Sequence, residues 1–283
     1  MSKPHSSAAK KTSLLRSLIR MAGFYVLLVG ILVCCQDYLI YVQPNQSRCM
    51  WNFPEERPWL SPIHFSSEDG TRLHGWFAKP EGTAAGTILF CHGNGENVGT
   101  QFNEVTNLCQ QLNLNVLVFD YRGFGLSHGK ANEDGLLMDG RAAMRKLNEL
   151  TNTKPEEVFI FGRSLGGGVA VKTAVDLGAK GLILNSTYSA IDDVAASKFW
   201  WMPVRLVIRT RMRSVDWIAN FRGPLLCTHG TEDGLLPFWS GKKLFDGCPS
   251  TDKTFYRQEG RGHHDTLNRE FYLNLRDFIA NVD

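Results

Sequence analysis

Val158-Phe159-Ile160-Phe161-Gly162-Arg163-Ser164-Leu165-Gly166-Gly167-Gly168 is the stretch that decides the fold of this 283-residue chain. The apolar run before Gly162 reads as a buried strand, and the run from Leu165 to Leu177 reads as a helix. Between them stands Gly-x-Ser-x-Gly, and the strand–turn–helix context makes this a nucleophile elbow with Ser164 at its tip. So sharp a turn strains the serine backbone. Side chains at Gly162 or Gly166 would collide with the adjoining strand and helix. The helix that begins at Leu165 points free N–H groups and its positive dipole end at developing negative charge. The rival reading is a phosphate-binding turn, but neither G-x-x-x-x-G-K-[ST] nor G-x-G-x-x-G occurs here.

Outward from the elbow, short apolar runs alternate with helical patterns. Strands are expected at Pro62–Ser66, Leu73–Phe77, Thr87–Phe90, Val116–Asp120, Val158–Phe161, Gly181–Asn185, Leu225–Thr228 and Lys253–Tyr256. The first two flank the turn sequence Glu68-Asp69-Gly70-Thr71 and suit a hairpin. The later ones are near-continuous apolar runs, as in parallel strands buried on both faces. Helices are expected at Val98–Leu112, Gly135–Leu150, Leu165–Leu177, Phe238–Phe245 and Leu267–Asn281. This order implies an α/β fold with a mostly parallel eight-stranded sheet and helices on both faces. Residues 188–221 are too long for a plain connection. With Phe199-Trp200-Trp201, Pro203 and four arginines (Arg205, Arg209, Arg211, Arg213), they read as a small helical cap inserted in a domain spanning 62–283.

A serine hydroxyl is a weak nucleophile until a base takes its proton and an acid orients that base. In elbow-bearing sheets the acid and the histidine follow the serine in that order. The acid candidate is Asp233, in the turn His229-Gly230-Thr231-Glu232-Asp233 that leaves the C-terminal end of a strand, where α/β sites gather. Glu232 is the alternative. The base candidate is His263, in the loop Gly260-Arg261-Gly262-His263-His264-Asp265, with His264 as the alternative. A His-His-Asp metal site is a third reading, without a helical H-E-x-x-H or a further ligand cluster to support it. An oxyanion hole needs two preorganised donors. Leu165 N–H is one, and Asn94 N–H in His92-Gly93-Asn94-Gly95 is the other. No cofactor and no metal is called for.

These residues together resemble the α/β-hydrolase family. The likeness is strongest to its small membrane-anchored branch, typified by bacterial YfhR-like proteins and their eukaryotic relatives, which itself looks like the serine aminopeptidase and acylhydrolase groups. The matching segments are EDGTRLHGWF (68–77), CHGNGEN (91–97), VFDYRGFGLSHG (118–129), FGRSLGGG (161–168), LNSTYSA (184–190), HGTEDGLLP (229–237) and GHHDT (262–266). They run in order from about residue 60 to the C-terminus. The resemblance implies a catalytic serine, acid and histidine at Ser164, Asp233 and His263, and oxyanion donors at Asn94 and Leu165. It also favours His263 over His264, and it gives the turn Asp120–Gly125 a structural role.

Charge separates the chain into two parts. The first twenty residues hold Lys3, Lys10, Lys11, Arg16 and Arg20 and no acid, leaving 26 basic against 28 acidic residues elsewhere. A domain without a basic field has no electrostatic support for nucleic-acid binding. The seven cysteines show no CxxC and no paired spacing, so no zinc or redox motif is present. After the basic leader (1–20), residues 21–42 form an apolar run long enough to cross a bilayer, with Tyr38, Tyr41 and Asp37 near the far interface. This reads as a transmembrane signal-anchor, followed by a linker at 43–61. A cleaved signal peptide or a buried core helix are the alternatives, but no small-x-small cleavage site follows. The positive-inside rule would keep the leader cytoplasmic and place the domain on the other side.

The sequence therefore predicts a single-pass membrane serine hydrolase acting on an ester, thioester or related acyl bond. The anchor and the apolar cap point to a small acyl or lipid-like substrate, with membrane lipids as partners of the helix. A serine peptidase or amidase uses the same residues, and a non-catalytic membrane-tethered scaffold on this fold is the reading from a different class.

Overall fold

The computed structural model describes residues 6–44 and 57–282. Lys3 of the leader and residues 45–56 of the expected linker lie outside them. All eight expected strands form: β1 (Leu60–Ser66), β2 (Arg72–Ala78), β3 (Gly86–Cys91), β4 (Leu114–Phe119), β5 (Val158–Arg163), β6 (Gly181–Asn185), β7 (Leu225–Gly230) and β8 (Lys253–Gln258). They make one sheet in the order β1-β2-β4-β3-β5-β6-β7-β8. β1 and β2 are antiparallel, β2 meets β4 antiparallel, and every later pairing is parallel. This is the α/β-hydrolase fold.

The apolar runs of the inner strands follow from burial on both faces. Leu89, Leu117, Ile160 and Leu184 pack on one side of the sheet, whereas Ile88, Phe90, Val118, Phe161 and Ile183 pack on the other. The helices are α1 (Ser6–Ile40), α2 (Phe102–Thr106), α3 (Glu133–Thr151), α4 (Leu165–Leu177), α5 (Ile191–Lys198), α6 (Val204–Val207), α7 (Ser214–Ile218), α8 (Phe238–Gly247) and α9 (Arg269–Asn281). Short helices α5, α6 and α7 make up the insertion at 188–221.

Two expectations change. The single helix expected over Val98–Leu112 is broken into a 3₁₀ turn at Val98–Thr100, then α2, then a wide turn at Asn107–Gln111. Asn97 and Thr100 cap each other, the Asn97 side chain accepting from Thr100 N–H at 3.1 Å and Thr100 Oγ1 accepting from Asn97 N–H at 3.0 Å. That reciprocal cap closes the first turn on itself. The N-terminal helix is also longer than the apolar run at 21–42. It begins at Ser6, and its apolar part, Ser13–Ile40, is long enough to cross a membrane; most of its side chains are exposed, while Gln36 is buried.

Candidate active site

Strand register brings the site together. In β3 and β5, Cys91 stands opposite Gly162; in β5 and β6, Arg163 stands opposite Asn185; in β7 and β8, Gly230 stands opposite Gln258. The loops after β3, β5, β7 and β8 therefore emerge side by side at the C-terminal edge of the sheet, where α/β sites collect.

Ser164 sits at the tip of the β5–α4 turn with φ 51° and ψ −119°, a left-handed conformation that serine adopts only under constraint. The constraint is a set of hydrogen bonds. Ser164 N–H donates to Asn185 O at 3.0 Å, Thr187 Oγ1 donates to Ser164 O at 2.8 Å, and Tyr188 hydroxyl donates to Leu165 O at 3.0 Å. Gly166 is required by close approach: a Cβ there would run into the backbone carbonyls of Cys91 and His92. The same closeness puts the loop after β3 against the elbow.

His263 Nε2 lies 3.0 Å from Ser164 Oγ, and its Nδ1 lies 2.7 Å from Asp233 Oδ2. All three residues are buried. Asp233 Oδ1 also accepts from the N–H groups of Leu235 and Leu236, at 2.9 and 2.7 Å. Burial acts to raise the Asp233 carboxyl pKa. Hydrogen bonds from His229 and His263 outweigh it, and the carboxyl ends well below its usual range. Glu232, the other acid considered, takes no part in this chain of contacts. His264 is exposed and turns its Nδ1 toward Arg163 Nη2 at 3.4 Å, away from Ser164.

The N–H groups of Leu165 and Asn94 donate to no partner among the described residues. Leu165 is the first residue of α4, where free donors are expected. The loop carrying Asn94 is fixed from below. Gly93 N–H donates to Glu96 Oε2 at 2.6 Å, and Glu96 is ion-paired with Arg163. The turn Asp120–Gly125 braces the same loop: Asp120 Oδ1 accepts from Val98 N–H at 2.8 Å and Tyr121 hydroxyl donates to His92 O at 2.8 Å.

Three contacts had no signal in the sequence. His229 Nε2 lies 3.3 Å from Asp233 Oδ2 and 2.8 Å from Leu236 O, completing the acid's surroundings. Glu96 holds Gly93. The Asn94 side chain clasps the end of α1: Nδ2 donates to Ile40 O at 2.6 Å and Oδ1 accepts from Val42 N–H at 2.9 Å. Of the cap arginines, Arg205 pairs with Asp193, Arg209 with Asp37, and Arg213 with Asp192 and Asp216. Three of the four charges are thus engaged by carboxylates of this chain.

Comparison with known proteins gives a consistent picture. Residues 82–214 match the family described as serine aminopeptidase, S33. The α/β-hydrolase domain-containing protein WAV2 of Arabidopsis thaliana is 31% identical over 245 residues, covering 79% of each chain. The YfhR protein of Salmonella typhi is 28% identical over 278 residues, covering 89% of this chain and 91% of that one. Among solved structures, an esterase from Pyrococcus furiosus superposes with a TM-score of 0.70 at 19% identity, covering 85% of this chain and 99% of its own.

Proposed function

This chain belongs to the α/β-hydrolase family, and on that premise we propose that it is a membrane-anchored serine hydrolase that cleaves an ester, thioester or related acyl bond. The observation that carries this reading is the run of contacts from Ser164 Oγ through both ring nitrogens of His263 to Asp233, beside two unengaged backbone donors.

In the proposed reaction Ser164 Oγ attacks the acyl carbon while His263 Nε2 takes its proton. Asp233, ionised by its hydrogen bonds, keeps Nδ1–H in place and stabilises the imidazolium. The tetrahedral oxyanion accepts from Leu165 and Asn94 N–H. His263 returns the proton to the leaving group as the acyl–heteroatom bond breaks. Water, deprotonated by His263, then releases the acid and restores Ser164. Nothing in this cycle requires a metal or organic cofactor.

The family description as a serine aminopeptidase favours a second reading, amide cleavage by the same residues. The membrane side of the proposal rests on the apolar helix and on its union with the domain. Gln36 Oε1 accepts from Arg209 N–H at 2.7 Å, Asp37 pairs with Arg209, and Tyr41 hydroxyl bonds to Thr210 Oγ1 at 3.1 Å. Such contacts serve a segment that stays with the domain, which supports a retained anchor over a cleaved signal. Lys10, Lys11, Arg16 and Arg20 before the apolar run then favour a domain on the non-cytoplasmic side.

The test is labelling of the full-length protein, in detergent or bilayer discs, with a fluorophosphonate. Stoichiometric labelling that is abolished in Ser164→Ala, and strongly slowed in His263→Ala but not in His264→Ala, is the expected result. A folded protein that does not label would refute the hydrolase reading. Turnover of acyl esters beside aminoacyl amides separates the two bond classes.

A further inference from the structure

An apolar cleft with a volume of about 210 Å³ lies between α1 and the cap. One wall is α1, through Leu32, Leu39 and Ile40; the other is the cap, through Ala195, Phe199 and Val207. Among the described residues Gln36 is the only side chain in its lining with a nitrogen or oxygen, and both are engaged: Nε2 donates to the carbonyls of Val33 and Val207, and Oε1 accepts from Arg209 N–H. The cleft therefore offers hydrocarbon contact and no polar handle, which suits an alkyl chain and disfavours a peptide or sugar.

One end of the cleft lies beside the loop that approaches Ser164. Ile40 lines the cleft, its carbonyl is held by Asn94 Nδ2, and the preceding Gly93 lies so near Ser164 that a Cβ on it would stand 3.2 Å from Ser164 Cβ. Its α1 wall belongs to the helix that is long and apolar enough to cross a membrane. The cap climbs α1 as far as Tyr25, whose hydroxyl donates to Trp201 O at 3.0 Å. Tyr25 to Gln36 is about 16 Å of helix. Beside the cleft the cap presents Trp200 and Leu206, 83% and 85% exposed, apolar surface that suits lipid better than water.

We propose that this cleft is the acyl-chain site. A long-chain acyl ester resident in the bilayer slides its chain between α1 and the cap and delivers its carbonyl to Ser164, so that the anchor helix forms half of the substrate-binding surface. This rests on the hydrolase reading and adds the substrate class.

The experiment uses the full-length protein in bilayer discs with p-nitrophenyl butyrate and p-nitrophenyl dodecanoate. The quantity read is the ratio of kcat/KM for the long ester to that for the short one. Ala195→Phe fills the cleft from the cap and Val33→Phe fills it from α1, so a failure of one to fold leaves the other. Excluding even two methylenes corresponds to roughly a tenfold loss, so the ratio should fall at least tenfold in either variant. A ratio within twofold of wild type in a folded variant overturns the proposal while the hydrolase reading stands. A wild type that turns over neither ester removes the hydrolase reading and this site with it.

Discussion

The clasp between Asn94 and the end of α1 makes a quantitative prediction about how the N-terminal helix serves the proposed site. Asn94→Ala leaves the backbone N–H in place but removes two hydrogen bonds, 2.6 Å to Ile40 O and 2.9 Å from Val42 N–H. A protein hydrogen bond contributes about 1 kcal/mol net, so the clasp holds the loop with about 2 kcal/mol. If all of that serves to aim the Asn94 N–H, the rate of oxyanion formation falls about thirtyfold, at 1.4 kcal/mol per tenfold. The ceiling is the 10²–10³-fold loss expected for removing an oxyanion donor outright. The assay is the second-order rate of fluorophosphonate labelling of the full-length protein. Val42→Pro removes one of the two bonds from the opposite side, because proline has no N–H. It should slow labelling about fivefold on its own and add little to Asn94→Ala, since both changes act through one contact. Labelling of Asn94→Ala at the wild-type rate, or full additivity of the two changes, would refute the argument that α1 positions this loop.

Three further outcomes follow from the same geometry. Asp233→Asn should slow ester turnover by about 10³–10⁴-fold while changing KM little, because the imidazole loses the partner that fixes its tautomer; steady-state kinetics check this. Gly166→Ala places a Cβ against the backbone of Cys91 and His92, atoms that cannot move aside as a side-chain tip would, and should lower stability by about 3 kcal/mol or prevent folding, read as the thermal midpoint. The third concerns acid. Hydrogen bonds from Arg141 and Arg145 hold the Glu68 carboxyl down at about 2, and Asp233 is also depressed. Groups with lowered folded pKa values contribute stability above their unfolded values near 4, and lose it as pH falls through the folded ones. The urea midpoint should therefore be steady near neutrality and fall between about pH 4 and pH 2. Glu68→Gln should flatten part of that fall, by a small amount because its ion pairs are solvent-screened.

What could be read along the chain was what is encoded locally. The apolar run before Gly162, the glycines about Ser164 and the loop His92–Gly95 each carry their conformation in a few adjacent residues, and all eight strands lie where apolar periodicity puts them. The parallel pairing of the later strands follows from the alternation of strand and helix, whereas the place of β4 between β2 and β3 could not be read along the chain. The break at Thr100 was also local, in the Asn97–Thr100 cap, but the apolar period across 98–112 masked it.

Relations between distant residues were decided only by the tertiary structure. Two adjacent histidines cannot be told apart by position, yet packing turns the His263 ring inward to Ser164 and Asp233 and leaves His264 in solvent beside Arg163. His229 beside Asp233, Glu96 beneath Gly93, the cap arginines on their carboxylates, and Asn94 on the end of α1 all join residues through side chains whose partners periodicity does not specify. The elements, their succession along the chain and the candidate reactive residues are legible locally, because they depend on burial pattern and backbone sterics within a few residues. The meeting of the N-terminal helix, residues 188–221 and the loop beside Ser164 depends on strand register and on contacts spanning more than fifty residues, and no local rule contains that information.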